Sequence, residues 1–171
     1  LNLAGGLALG LIAALAAVMV AEGLDAGLTT AEDIERRLDK AYLGGVPLLS
    51  SIAEDERLSP MDHVVQKPLS AFSEAFRNLR TSIQQSRLGE PVKVVALTSS
   101  LPGEGKTTTT ICLGRAAALQ GLKVVIVDCD LRRQTINRMF DEAPSAGLLE
   151  VLSGERTLDQ VLTVDPATGA S

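Results

Sequence analysis

Tryptophan is absent from this 171-residue chain, tyrosine occurs once, histidine once, cysteine twice and phenylalanine three times. So few rings leave no platform for stacking single-stranded bases. The net charge is −5, and basic residues are dispersed apart from Arg36–Arg37 and Arg132–Arg133. A basic stripe is therefore missing too, and no nucleic-acid partner is expected. Cys112 and Cys129 lack the spacing of a metal site or a disulfide framework. Both lie in apolar stretches and are expected to be buried, reduced thiols. The lone His63 has no ligand or catalytic partner nearby in sequence and is expected to be a solvated loop residue. The chain starts at Leu1 and stops in a polar run at Ser171, as a piece cut from a longer polypeptide would.

Charge is also missing from the first stretch. Residues 1–21 are apolar except for Asn2, and about 20 apolar residues match the thickness of a bilayer. One transmembrane helix is expected there. Gly6 and Gly10 form a small-xxx-small pair that would let two such helices approach. Arg36, Arg37 and Lys40 follow on the side expected to face the cytoplasm. Residues 22–68 are expected to be a juxtamembrane segment and linker. Within it, Thr29-Thr30-Ala31-Glu32 has a capping-box pattern opening a helix to about Ala41, with Ile34, Leu38 and Tyr42 on one face. Gly44-Gly45 should end it, and Tyr42 should pack against it. Val46–Ile52 looks extended, and Glu54–Lys67, polar with Pro60 and Pro68, looks like a linker.

Residues 69–171 are expected to form an α/β domain. Leu69–Leu88 has Phe72, Phe76, Leu79 and Ile83 at helical spacing, with Ser70 as N-cap and Gly89 and Pro91 as stops. Val92–Leu97 is β-rich, Lys106–Gln120 helical, and Lys123–Asp128 a continuous apolar run. Strand, crossover helix and strand make a βαβ unit, and unbroken apolar strands suit a parallel sheet covered by helices on both faces. Short helices are expected over Gln134–Phe140, Leu148–Leu152 and Leu158–Leu162.

Between the first apolar run and its helix stands Ser100-Leu101-Pro102-Gly103-Glu104-Gly105-Lys106-Thr107. It fits the phosphate-binding pattern G-x-x-x-x-G-K-[ST] except that Ser100 replaces the first glycine. Gly103 and Gly105 let backbone amides, including that of Glu104, approach phosphate. The helix N-terminus supplies unpaired N–H groups and a positive dipole end. Lys106 should reach the β- and γ-phosphates of ATP, Thr107 should bind Mg²⁺, and Thr108 should lie near the α-phosphate. At the end of the next apolar run, Asp128 and Asp130 lie on one side of an extended chain. Asp128 can hold Mg²⁺ and Asp130 can orient or deprotonate an attacking hydroxyl, or instead cap the next turn.

The sequence S-S-L-P-G-E-G-K-T, followed about twenty residues later by V-V-I-V-D-C-D-L-R-R, resembles the bacterial tyrosine kinases, whose second motif is called Walker A′. Glu74, Arg77 and Arg80 match the E-x-x-R-x-x-R segment of that family. The resemblance implies a truncated P-loop kinase domain behind a membrane helix, as in a polysaccharide co-polymerase. It implies an ATP- and Mg²⁺-dependent, autophosphorylating protein-tyrosine kinase that regulates exopolysaccharide or capsule polymerisation and export. Lys106, Asp128 and Asp130 would be its catalytic residues. Glu74, Arg77 and Arg80 would join kinase domains into a homo-oligomeric ring that presents each tyrosine-rich tail to a neighbouring subunit. The implied setting is the bacterial inner membrane, with the kinase domain cytoplasmic and polysaccharide export machinery as partner. Two other functions share the loop. One is a co-polymerase scaffold that binds ATP without kinase activity. The other is a partitioning or cell-division ATPase (MinD/ParA-like), whose loop carries a second lysine where this chain has Leu101.

Overall fold

The computed structural model describes residues 2–24, 27, 30–52, 58–87, 89–131, 133, 135–140, 144 and 146–171. They divide into two compact units, Leu1–Tyr42 and Leu43–Ser171.

The first unit holds α1 (Asn2–Leu24) and α2 (Ala31–Leu38). With 23 residues, α1 is about 35 Å long at the helical rise per residue. Its described side chains, Gly5 to Ala21, are all exposed. Among the described residues no helix is long and apolar enough to cross a membrane. In α2, the Thr30 hydroxyl accepts from the Asp33 amide at 3.1 Å. The cap is thus formed by Thr30 and Asp33; Thr29, the expected cap, lies outside the described residues. The helix stops at Leu38, before the expected Ala41. Asp39 adopts the left-handed conformation, φ 51°, and its amide closes on the Glu35 carbonyl, a termination that aspartate tolerates better than most residues. Tyr42 lies beyond the end of α2 and is 42% exposed, so the expected packing role is corrected. Its amide donates to the Glu35 carboxylate at 3.1 Å.

The second unit contains α3 (Leu49–Ile52), α4 (Pro60–Gln66), α5 (Ala71–Gln85), α6 (Lys106–Ala118), α7 (Thr135–Met139), α8 (Leu148–Leu152) and α9 (Leu158–Val161). The core joins α4, α5 and α6. Val64, Phe72, Phe76, Cys112, Leu113 and Ala116 form its buried centre, with Leu79 and Ile83 packed against it. Phe72 and Phe76 meet edge to face at 5.1 Å, the preferred aromatic geometry. The N-cap of α5 is Ser70, whose hydroxyl accepts from the Ser73 amide at 3.2 Å.

Two expectations for this region are corrected. Residues 60–66 are helix rather than linker, because Ser59 caps the turn and Pro60 occupies the first helical position, where its missing N–H costs nothing. His63 is accordingly buried, 5% exposed. Its Nε2 lies 3.1 Å from the Ser70 hydroxyl, and its ring meets Phe72 edge to face. The run at 46–52 likewise ends in a helical turn, α3.

The apolar runs Val92–Leu97 and Lys123–Asp128 lie in extended segments, 91–99 and 122–130, but among the described residues neither is a β-strand. Strands require a ladder, and the second run has a single pairing: Ser171 donates to Val124 at 3.0 Å and accepts from Ile126 at 2.6 Å. That pattern brackets Val125 as in a parallel pair. The expected burial on both faces is also absent, with Val94 87% and Val125 49% exposed. What fixes the second run is α6. A Cβ on Gly114 would lie 2.7 Å from Ile126 Cδ1, so helix and extended chain meet where a side chain is missing.

Cys112 is buried and Cys129 is exposed, so the expectation of two buried thiols holds for one only. Cys129 lies past the apolar run, between two aspartates. Burial pushes the Cys112 thiol up to about 12, against a smaller lowering from Arg115. Iodoacetamide at pH 8 is therefore expected to label Cys129 in the folded protein and Cys112 only after denaturation, read by peptide mass spectrometry. Comparable native labelling of both would contradict this core.

Arg115 is buried within α6, 5% exposed. Its Nε and Nη2 donate to the two oxygens of Asp165 at 2.9 and 3.1 Å. Burial alone would raise the Asp165 pKa, but the Thr168 hydroxyl, the Ala167 amide and Arg115 together hold it below the ordinary carboxylate value. A depressed folded pKa contributes stability above the unfolded value, near pH 4, and loses it as pH falls through the folded value. Asp165→Asn is thus expected to be less stable than the parent at pH 7, by denaturant midpoint, and the gap is expected to shrink below pH 4. A gap independent of pH would contradict the ion pair.

Candidate functional site

The turn between the extended run 91–99 and α6 is closed by two glycines with positive φ, Gly103 at 84° and Gly105 at 80°. Only glycine takes such angles without strain. Gly105 is also the N-cap of α6, with no side-chain cap bond. Several first-turn amides of α6 are therefore left for an external acceptor, as at any helix start. Thr109 N–H closes the first backbone bond onto Gly105 O at 2.8 Å. Lys106, Thr107 and Thr108 are half-buried at the loop's inner edge, while Leu101 to Glu104 are exposed.

The Lys106 ammonium donates to the Ser99 hydroxyl at 2.7 Å. Ser99 in turn donates to the Leu101 carbonyl at 2.8 Å. This two-bond chain ties the lysine, through Ser99, to the backbone of the loop at Leu101. Glu104 has a second part: its carboxylate accepts from the Leu101 amide at 3.0 Å, which pins the turn. The octet pattern assigns no role to Ser99, which precedes it, or to this contact of Glu104.

The second group is the turn after Val127. Asp128 accepts from the Asp130 amide through Oδ1, at 2.9 Å, and from the Ile136 amide at the start of α7 through Oδ2, at 3.1 Å. Asp130 accepts from the Arg133 amide at 3.1 Å, the turn-capping alternative. Each Asp128 oxygen retains a lone pair, so a hydrated cation is compatible with these bonds. Among the described residues no group of three His, Cys, Asp or Glu side chains could hold a metal alone. One hydroxyl and one carboxylate, Thr107 and Asp128, fit Mg²⁺, which takes few protein ligands and completes its shell with phosphate and water. Among the described residues no hydrogen bond or ion pair joins the loop to the Asp128 turn. A cavity of about 420 Å³ is lined by Asp128 and Asp130 with Val125, Phe140 and Leu149, but by no residue of the loop. Its largely apolar wall does not suit a polyphosphate.

On α5, Glu74 is exposed and Arg77 and Arg80 are half-buried. Arg77 donates to the Pro68 carbonyl, and the Arg80 Nε is buried with no hydrogen-bond partner.

A loop with two positive-φ glycines, an uncapped helix start and a lysine tied to the loop defines a P-loop nucleotide-binding domain. Residues 95–153 match the CobQ/CobB/MinD/ParA nucleotide binding domain. The chain is 33% identical over 147 residues to the succinoglycan biosynthesis transport protein ExoP of Rhizobium meliloti (strain 1021), covering 79% of this chain and 18% of that protein. It is 38% identical over 96 residues to the tyrosine-protein kinase YwqD of Bacillus subtilis (strain 168), covering 56% of this chain and 40% of that one. The kinase domain of the Escherichia coli tyrosine kinase ETK superposes with a TM-score of 0.70 at 26% identity, over 84% of this chain and 58% of that domain. The chain has a P-loop NTPase-like fold and is similar to the bacterial tyrosine kinases. It spans about a fifth to two fifths of the length of these curated relatives.

If Ser99 holds Lys106 ready, Ser99→Ala is expected to weaken nucleotide binding by about threefold to tenfold, the net worth of one hydrogen bond of about 1 kcal/mol. Fluorescent-nucleotide titration reads this directly, and an unchanged affinity would remove Ser99 from the site.

Proposed function

We propose that this chain is the phosphate-binding part of an autophosphorylating protein-tyrosine kinase acting in exopolysaccharide or capsule polymerisation and export. The observation that carries the proposal is Lys106, held by Ser99 at an uncapped helix start that follows two glycines of positive φ. The kinase names of relatives such as YwqD extend it from nucleotide binding to tyrosine phosphorylation.

In this reading the loop amides from Gly103 to Thr108 take the β- and γ-phosphates of ATP, and Lys106, one N–H still on Ser99, turns its other two to neutralise charge on the transferring group. Thr107 and Asp128 would hold Mg²⁺, which supplies charge neutralisation to the phosphate oxygens when bound. Asp130 accepts the proton of the acceptor tyrosine as its oxygen bonds to the γ-phosphorus. The bond from that phosphorus to the bridging oxygen breaks, and ADP leaves. Asp130 must release the Arg133 amide or use its other oxygen to do this. The acceptor lies on a neighbouring subunit's tyrosine-rich tail. Glu74, Arg77 and Arg80 join the subunits, and the exposure of Glu74 with the partial exposure of Arg77 and Arg80 on one helix supports a contact there.

Residues 1–21 anchor the protein in the bacterial inner membrane, with residues 22–68 as juxtamembrane segment and 69–171 within a cytoplasmic kinase domain. The exposed, uncharged surface of α1 from Gly5 to Ala21 supports this.

The test uses the full-length protein in membranes with γ-labelled ATP. Label on tyrosine in the carbonate-washed pellet is expected, with its loss in Lys106→Met and a smaller oligomer in Arg80→Glu by sedimentation. Label that survives Lys106→Met would overturn the site, and protein in the carbonate supernatant would overturn the anchor.

A further inference from the structure

Asp128 is held from two directions, and both lead to Arg115. The chain enters Asp128 through residues 124–127, of which Val124 and Ile126 bond to Ser171. Ser171 follows a tight turn in which Asp165 N–H donates to Ala170 O at 2.6 Å and Gly169 N–H donates to Asp165 O at 2.8 Å. The Asp165 carboxylate accepts the two-pronged Arg115 contact, and the Thr168 hydroxyl completes it at 2.6 Å. The chain leaves Asp128 through α7, whose Ile136 amide donates to Asp128. Phe140, just after α7, lies under the same guanidinium, 5.2 Å from ring centroid to Cζ. Arg115 also donates to Asp62 of α4 at 3.2 Å. One planar group thus grips the turn that pairs with the incoming run, the ring that ends the outgoing helix, and the core helix α4. It projects from α6, whose opposite end is the phosphate loop.

We infer that Arg115 is a positioning residue: through Asp165 and Phe140 it sets the Asp128 turn relative to the helix that begins at Lys106. This rests on the kinase reading of the site. The physical basis is the fork geometry of guanidinium, which fixes distance and plane together where an ammonium fixes only charge. Arg115 bonds to Asp165 and Asp62 and to no residue of the loop, so its effect should fall on the alignment of Asp128 and Asp130 rather than on phosphate capture.

The experiment compares the full-length protein with Arg115→Gln, Arg115→Lys and Asp165→Asn, well below each variant's melting temperature. In Arg115→Gln, kcat is expected to fall roughly tenfold to a hundredfold, as displaced catalytic groups do. KM for ATP should stay within about twofold, since uniform binding is untouched. Amide exchange at Ile126 should accelerate. Asp165→Asn should follow in the same direction, and Arg115→Lys should regain part of kcat. A lowered melting temperature with unchanged kcat would make Arg115 merely structural and overturn the inference. A raised KM with unchanged kcat would overturn it as well. If the parent protein transfers no phosphate, the kinase reading fails alone. The inference is then read from Ile126 exchange, and unaltered exchange in Arg115→Gln overturns it.

Discussion

Seven consecutive residues of α6, Ile111 to Ala117, are buried. A helix buried on every side cannot shift without opening the core, and the rest of the second unit is placed by this constraint. Its first turn is left at the surface and carries Lys106 and Thr107. Its middle touches Val64, Phe72 and Phe76 through Cys112, Leu113 and Ala116. At Gly114 it admits Ile126 and Val124 to within the space of a missing methyl. The phosphate loop therefore borrows rigidity from the hydrophobic core, and that rigidity lets a few backbone amides act as a preformed anion site.

The same helix organises charge. Buried ion pairs often give little net stability, because desolvation offsets attraction. The Arg115–Asp165 pair is better explained by geometry. It joins residues fifty apart in sequence at defined angles, and the Thr168 hydroxyl and Ala167 amide satisfy the remaining oxygen lone pairs. Specification of position, more than stability, is what such a network supplies.

The sequence made some of this readable and hid the rest for identifiable reasons. Gly103, Gly105 and Lys106 state their own chemistry, because few other residues serve at those angles and that reach. The helical spacing of Phe72, Phe76 and Leu79 marks α5 as directly. By contrast, α4 was concealed by polar composition and two prolines, although Ser59-Pro60 is a good helix start. His63 looked solvated because the Ser70 hydroxyl and the Phe72 ring that enclose it reach it only once α4 and α5 fold together. Nothing in the sequence singled out Arg115, since its partners Asp62 and Asp165 are distant along the chain. The apolar runs were visible, but strand pairing depends on neighbours that periodicity does not name. Exposure of Cys129 followed from its two flanking aspartates turning back onto backbone amides.

The central claim is that the loop before α6 captures the polyphosphate tail of a nucleotide, so selectivity should follow phosphate number. Calorimetric titration of the full-length protein with ATP, ADP and AMP in the presence of Mg²⁺ tests this most directly. ATP and ADP should bind at least about tenfold more tightly than AMP, because the amides and Lys106 engage the β- and γ-phosphates. Equal affinity for all three would place recognition on the nucleoside and contradict the account.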